Sequence, residues 1–70
     1  MFWWFERAGE YLRCEAVPMS AGGFELRLVH PDGTESVERF SDSSDLAARQ
    51  DQVITDVVHA GWNGPHGWNL

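Results

Sequence analysis

The side chains with the greatest chemical reactivity in this 70-residue chain are three histidines and one cysteine. His30, His59 and His66 are widely separated, and their spacing matches no pattern in which paired His or Cys side chains hold a metal ion. Cys14 is the only cysteine, so no disulfide can form within the chain, and its alternating apolar surroundings are typical of a small buried side chain. We therefore predict no metal site and no cofactor.

Two further patterns bear on catalysis. Asp56 and His59 are three residues apart in a predicted helix and so lie side by side, but an isolated pair of this kind is typical of a surface contact. Ser41, Ser43 and Ser44 precede that helix, where hydroxyl groups serve as caps. They lack the G-x-S-x-G context of a hydrolase nucleophile. The sequence therefore predicts a protein that is not an enzyme.

The charge of the chain favours some partners over others. Eleven acidic residues stand against five basic ones, all arginine, for a formal net charge of −6. An acidic surface repels nucleic-acid backbones and anionic membranes, and no apolar run is long enough to cross a bilayer. We expect a cytoplasmic protein with a protein partner, without direct nucleic-acid binding and without a membrane.

Alternating apolar and polar residues predict four short strands in the first 40 residues. The strands are Phe2–Arg7, Glu10–Val17, Phe24–His30 and Glu35–Phe40. Ala8-Gly9 predicts a tight turn between the first two strands, and Pro31-Asp32-Gly33 predicts a bulged hairpin between the last two. Counting from that hairpin places Glu25 opposite Arg39.

After Asp42 the apolar residues recur at helical spacing. Asp42 is a good N-cap, and Asp45 suits the first turn of a helix. The pattern predicts a helix from about Ser43 to Ala60, followed by Gly61, with an apolar stripe that covers one face of the sheet. The stripe consists of Leu46, Val53, Ile54, Val57 and Val58.

Together these elements predict an α+β domain, a four-stranded antiparallel β-meander with one C-terminal helix packed on one sheet face (ββββα). Residues 1–62 form the domain. Residues 63–70 are rich in Gly and Pro, and we expect an irregular tail in which Trp68 folds back onto the domain.

Four consecutive aromatic residues at positions 2–5 cannot all enter one core, because alternate side chains of a strand face opposite ways. Trp3 and Phe5 are predicted to face the helix. The other core residues on that face are Leu12, Cys14, Ala16, Phe24, Leu26, Leu28 and Phe40. Phe2 and Trp4 are then left on the opposite face.

That opposite face is the predicted interaction surface. Its candidate residues are Phe2, Trp4, Tyr11, Arg13, Val29 and Val37. Trp, Tyr and Arg are frequent anchors of protein interfaces, so the set favours a non-enzymatic interaction module. A symmetric homodimer is its simplest form, through this face or through the free edge of the first strand. In an alternative, Trp4 stacks over Arg13, the tail with Trp68 covers the rest, and nothing binds.

The acidity supports a second interpretation, an acidic inhibitor or nucleic-acid mimic that occupies a basic protein groove. The residues that would form its negative surface are Asp42, Asp45, Asp51, Asp56, Glu6, Glu10, Glu15 and Glu35. A small-ligand or metal-binding protein is the third interpretation.

Overall fold

Five strands form one antiparallel sheet in the computed structural model, which describes residues 1–67. The strands are β1 (Phe2–Arg7), β2 (Glu10–Pro18), β3 (Phe24–Val29), β4 (Glu35–Phe40) and β5 (Asn63–His66). The sheet order is β4-β3-β2-β1-β5, and helix α1 (Ser43–His59) carries the chain from the β4 edge to the β5 edge. The predicted α+β meander with a C-terminal helix is confirmed, and a short fifth strand extends it.

The β3–β4 hairpin closes as the turn residues predict. The backbone N–H of His30 donates to the carbonyl of Thr34 at 2.8 Å, and the N–H of Gly33 donates to the carbonyl of His30 at 2.9 Å. Gly33 has φ +90°, a conformation that glycine adopts without strain. Glu25 lies opposite Arg39, so the predicted register is confirmed.

The β1–β2 hairpin decides which aromatic residues enter the core. Trp3 lies opposite Cys14 and Phe5 opposite Leu12, and both aromatic rings are fully buried. The buried core consists of Trp3, Phe5, Leu12, Cys14, Ala16, Leu26, Leu28, Leu46 and Val53. Phe24, Phe40, Ile54, Val57 and Trp62 pack against it. The division of the aromatic run between two faces is therefore as predicted.

Helix α1 begins at the predicted cap. The carboxylate of Asp42 accepts a hydrogen bond from the backbone N–H of Asp45 at 2.9 Å, which lowers the pKa of the Asp42 carboxyl. Val58 differs from the prediction: it is 45% exposed, because it lies about 100° around the helix from the half-buried Val57. Within residues 1–67, no helix combines the length and the apolar character needed to cross a bilayer.

The segment expected to be irregular contains β5. Trp4 pairs with His66 and Glu6 with Asn63, and the register between these two pairs is irregular. Because β5 occupies the second edge of β1, that edge is not free, and the predicted option of a dimer through it is wrong. Trp68, which was expected to fold back onto the domain, lies outside the described residues.

Candidate interaction surface

The outer face of the sheet is the face opposite α1. The cross-strand pairing places alternate residues of four strands on this face. They are Phe2, Trp4 and Glu6 in β1; Tyr11, Arg13, Glu15 and Val17 in β2; Glu25, Arg27 and Val29 in β3; and Glu35, Val37 and Arg39 in β4. All six residues of the predicted interaction surface therefore share this face.

Several apolar side chains of the outer face are open to solvent. Phe2 is 39% exposed, Tyr11 is 52% exposed and Val37 is 45% exposed, whereas Trp4 and Val29 are half-buried. Charged residues separate the apolar ones, so the face is a mosaic of apolar and charged side chains. Such a mixture is typical of the surfaces through which folded proteins meet one another.

The indole of Trp4 is enclosed by neighbours from both ends of the chain. Its ring centroid lies 5.9 Å from that of Phe2 and 5.9 Å from that of His66. Gly67 packs against the six-membered ring so closely that a side chain at position 67 would overlap it. Trp4 therefore contributes less open surface than its size suggests, since the C-terminal segment covers part of it.

The cation–π contact in the described part of the chain is not the one considered from the sequence. The guanidinium of Arg7 lies 4.4 Å from the ring centroid of Trp62 and donates to the carbonyl of Ala60 at 2.7 Å. It thereby fastens the end of β1 to the end of α1. The alternative of Trp4 stacked over Arg13 is not the arrangement observed in residues 1–67, where the Trp4 ring contacts Phe2, His66 and Gly67.

Two shallow depressions lie on either side of Arg13. One, of about 540 Å³, includes Tyr11 and His30 in its lining. The other, of about 260 Å³, includes Phe2 and Val29. Each depression thus combines apolar surface with Arg13 and with acidic residues, Glu10 in the first and Glu15 and Glu35 in the second, which suits a partner segment of mixed apolar and polar character.

An alternating set of charges runs over β3 and β4. Glu25 is only 7% exposed, and its carboxylate lies 2.8 Å from Arg27 and 3.5 Å from Arg39. Arg27 lies a further 3.7 Å from Glu35. Two arginines compensate the buried carboxylate, while the side chains of Arg39 and Glu35 stay 74% and 51% exposed. Charges near the β4 edge therefore remain available to a partner.

The acidic residues considered for a nucleic-acid mimic lie on opposite sides of the molecule. Those of the C-terminal half, Asp42, Asp45, Asp51 and Asp56, belong to α1 and its cap. Glu6, Glu15 and Glu35 lie on the outer face, and Glu10 begins β2. Because the sheet and the core separate Glu6, Glu15 and Glu35 from the aspartates of α1, the structure does not bring all eight residues together as one surface.

The candidate reactive groups are engaged in other contacts. The carboxylate of Asp56 accepts a hydrogen bond from the side chain of Gln52 at 2.8 Å, and His30 contacts the hydroxyl of Ser36 at 3.0 Å. Burial raises the pKa of the Cys14 thiol to about 12, so the thiol stays protonated and is a weak nucleophile at neutral pH. Over residues 1–67, no group of three or more His, Cys, Asp or Glu side chains is placed to hold a metal ion.

Two parts of this surface were missed by the sequence reasoning. Cover of the outer face by the tail was an alternative drawn from the sequence, but the pairing of Asn63–His66 as a strand had no signal, because the segment contains Gly and Pro. The burial of Glu25 had a readable signal: Arg27, two positions along the same strand, must share its face.

Comparisons with protein-family models, curated proteins and solved structures found no match to this chain. The residues of the outer face therefore carry the functional inference.

Proposed function

We propose that this protein is a small acidic interaction module without enzymatic activity, which binds a second protein chain through the outer face of its sheet. The observation that carries the proposal is the exposure of Phe2, Tyr11 and Val37 on one face, interleaved with arginines. Aromatic residues and arginine dominate the energetics of many interfaces. Aromatic rings bury a large area and lose little conformational entropy. The lone reduced cysteine suits a cytoplasmic site of action.

The outer face is small for a stable protein interface. Four strands at roughly 4.8 Å spacing and six residues at roughly 3.4 Å each span about 19 by 20 Å. A patch of this size is below the roughly 800 Å² per partner of a stable complex. We therefore expect a weak, reversible contact with a dissociation constant of about 1 µM or above.

Tyr11→Gln tests the proposal, with Val58→Gln as the matched control. Tyr11 is 52% exposed on the outer face, whereas Val58 is 45% exposed on α1, on the other side of the sheet. We expect Tyr11→Gln to weaken association about tenfold, the usual loss at an interface anchor, and Val58→Gln to leave it unchanged. Sedimentation velocity over a concentration series measures self-association, and chemical-shift mapping with a captured partner measures hetero-association. Equal behaviour of the two variants in both self-association and hetero-association contradicts the proposal.

The second candidate function is an acidic inhibitor or nucleic-acid mimic, and it draws support from α1 alone. Arg49, the one arginine of the helix, pairs with Glu38 of β4 at 3.0 Å. Its charge is therefore already compensated, and the aspartates of α1 are left to present a negative helix surface. A partner of this kind would bind with steep salt dependence. Binding that survives 0.5 M salt would contradict this candidate and favour the outer face.

A further inference from the structure

The free edge of β4 differs from the other end of the sheet. Strand β5 ends the sheet on one side with four residues that include Pro65, which cannot donate a backbone hydrogen bond. Strand β4 ends it on the other side with six residues and contains neither Pro nor Gly. Among residues 1–67 no strand pairs with the second edge of β4. This edge is therefore able to accept another strand.

The hairpin hydrogen bonds determine which backbone groups face this edge. His30 and Thr34 form a hydrogen-bonded pair, and such pairs alternate along an antiparallel ladder. The β4 residues that turn their N–H and C=O groups toward β3 are Ser36, Glu38 and Phe40. The residues that turn theirs toward the free edge are Glu35, Val37 and Arg39. Side chains of the second group all lie on the outer face.

We propose that two copies of the chain pair antiparallel through the β4 edge, about a two-fold axis at Val37. In this register Val37 exchanges both backbone hydrogen bonds with Val37 of the second copy. Glu35 then lies opposite Arg39 of the second copy, and the two-fold axis repeats this pair on the other side. The edge is thus complementary to itself in charge, and two five-stranded sheets join as one sheet of ten strands.

The neighbouring two-fold registers lack this match. A two-fold axis at Glu35, Glu38 or Arg39 places like charges directly opposite one another, which is destabilising. An axis at Ser36 places Glu35 opposite Val37 and leaves the charges without counterparts. In the Val37 register, by contrast, each charged residue that faces the free edge lies opposite a residue of opposite charge.

The two charged residues are free to make the new contacts. The side chain of Arg39 is 74% exposed and its distance to Glu25 is 3.5 Å, while that of Glu35 is 51% exposed and lies 3.7 Å from Arg27. These separations are long for ion pairs, so pairing across the edge extends the existing set of charges without breaking a tight contact. The joined sheets would carry one continuous set of alternating charges.

This inference goes beyond the proposed function, because it names a second copy of the chain as the partner and the β4 edge, rather than the outer face, as the contact. The charge-reversing variant Glu35→Arg places like charges opposite one another at both symmetric sites. We expect it to weaken the dimer about tenfold or more. Asp51→Arg, which changes the net charge equally on the exposed side of α1, is expected to leave the dimer intact.

Mixing two charge-reversed variants tests whether restored charge pairing restores the dimer. Arg39→Glu alone also places like charges opposite one another, but a mixture of Glu35→Arg with Arg39→Glu restores opposite charges at both sites. At a concentration where the unmodified protein is dimeric, we expect each variant to be largely monomeric by sedimentation equilibrium and the mixture to form a one-to-one heterodimer. Far-UV circular dichroism is the check on folding. Failure of the mixture to associate, with both variants folded, overturns the inference.

Hydrogen exchange on the unmodified protein gives a readout that does not depend on variants. The amides of Glu35, Val37 and Arg39 should become protected as concentration rises, since they bond to the second copy only in the dimer. A protein that stays monomeric at millimolar concentration, or a dimer in which these amides remain unprotected, overturns edge pairing. Association lost in Tyr11→Gln but kept in Glu35→Arg overturns edge pairing while supporting the outer face as the binding surface.

Discussion

Trp4 and Gly67 are in direct contact: atoms of the indole ring occupy the space that a β-carbon at position 67 would need. Gly67 also has φ +70°, where residues other than glycine are strained. The contact joins the first strand to the C-terminal segment. Trp4 is therefore an anchor for β5 as well as part of the outer face, and substituting it perturbs both.

Gly67→Ala is expected to displace β5 from β1, because the new methyl group overlaps the Trp4 ring. Gly22→Ala is the matched control, since Gly22 also has positive φ, +101°, but has open space around it. The control should cost only the backbone strain of about 1–2 kcal/mol. Amide exchange at Asn63, Gly64 and His66 should accelerate in Gly67→Ala alone. Equal exchange rates in the two variants would contradict the contact.

Trp3→Ala and Phe2→Ala compare two neighbouring aromatic residues on opposite faces. Trp3 is fully buried, so its truncation should cost about 3–5 kcal/mol. A chain of this length has only about 3.5–10 kcal/mol of stability in total, so Trp3→Ala should be largely unfolded. Phe2 is 39% exposed, and its truncation should cost about 1 kcal/mol. Urea titrations followed by circular dichroism measure both, and similar losses would contradict the predicted faces.

The buried thiol of Cys14 predicts a loss of stability in alkali. Burial raises its pKa from an ordinary value of 9.0 to about 12. The contribution of the protonated thiol to the free energy of unfolding is therefore fully present below about pH 9, and it is lost as the pH rises toward 12. At about pH 10.5 the native protein should have lost about 1–2 kcal/mol that Cys14→Ala does not lose. Urea titrations of both proteins at pH 8 and pH 10.5 measure this loss. If the difference in free energy of unfolding between the two proteins is the same at both pH values, the prediction is contradicted.

Asp42 predicts the opposite dependence on pH. Hydrogen bonds from Asp45 and Ser44 lower the pKa of its carboxyl, so its contribution is present above the ordinary value of 3.8 and is lost as the pH falls through the lowered value. Asp42→Ala should melt at a lower temperature than the native protein at pH 7, and the difference should shrink at pH 2. Asp42→Asn retains a cap at both pH values and should melt closer to the native protein at pH 7. If the melting temperature of Asp42→Ala lies below that of the native protein by the same amount at pH 7 and pH 2, the charged cap is not the cause.

Local patterns were sufficient to predict most of the architecture. Pro31-Asp32-Gly33 specifies a turn by backbone geometry, and from it the opposition of Glu25 and Arg39 follows by counting. Asp42 marks the helix start because a carboxylate at that position satisfies a backbone N–H. Such features depend only on residues close in sequence, which is why the sequence alone predicts them.

Strand β5 could not be predicted in this way. Asn63–His66 has little intrinsic strand preference, and it adopts strand structure because β1 offers it an open edge. The cover over Trp4 is a consequence of the same tertiary contact. The shared face of Phe2, Trp4 and Tyr11 was predictable from alternation, whereas the degree of exposure of each residue depended on β5.

The pairing of β1 with β5 joins the two segments of the sheet that are farthest apart in sequence. Closing so long a loop costs the most entropy of any strand pairing in the protein, so we expect this pairing to form last in folding. During synthesis on the ribosome, the edge of β1 stays open until the residues after α1 have emerged. We therefore expect the nascent chain to present one more open strand edge, and so a greater tendency to aggregate, in the interval between formation of the first hairpin and pairing of β5.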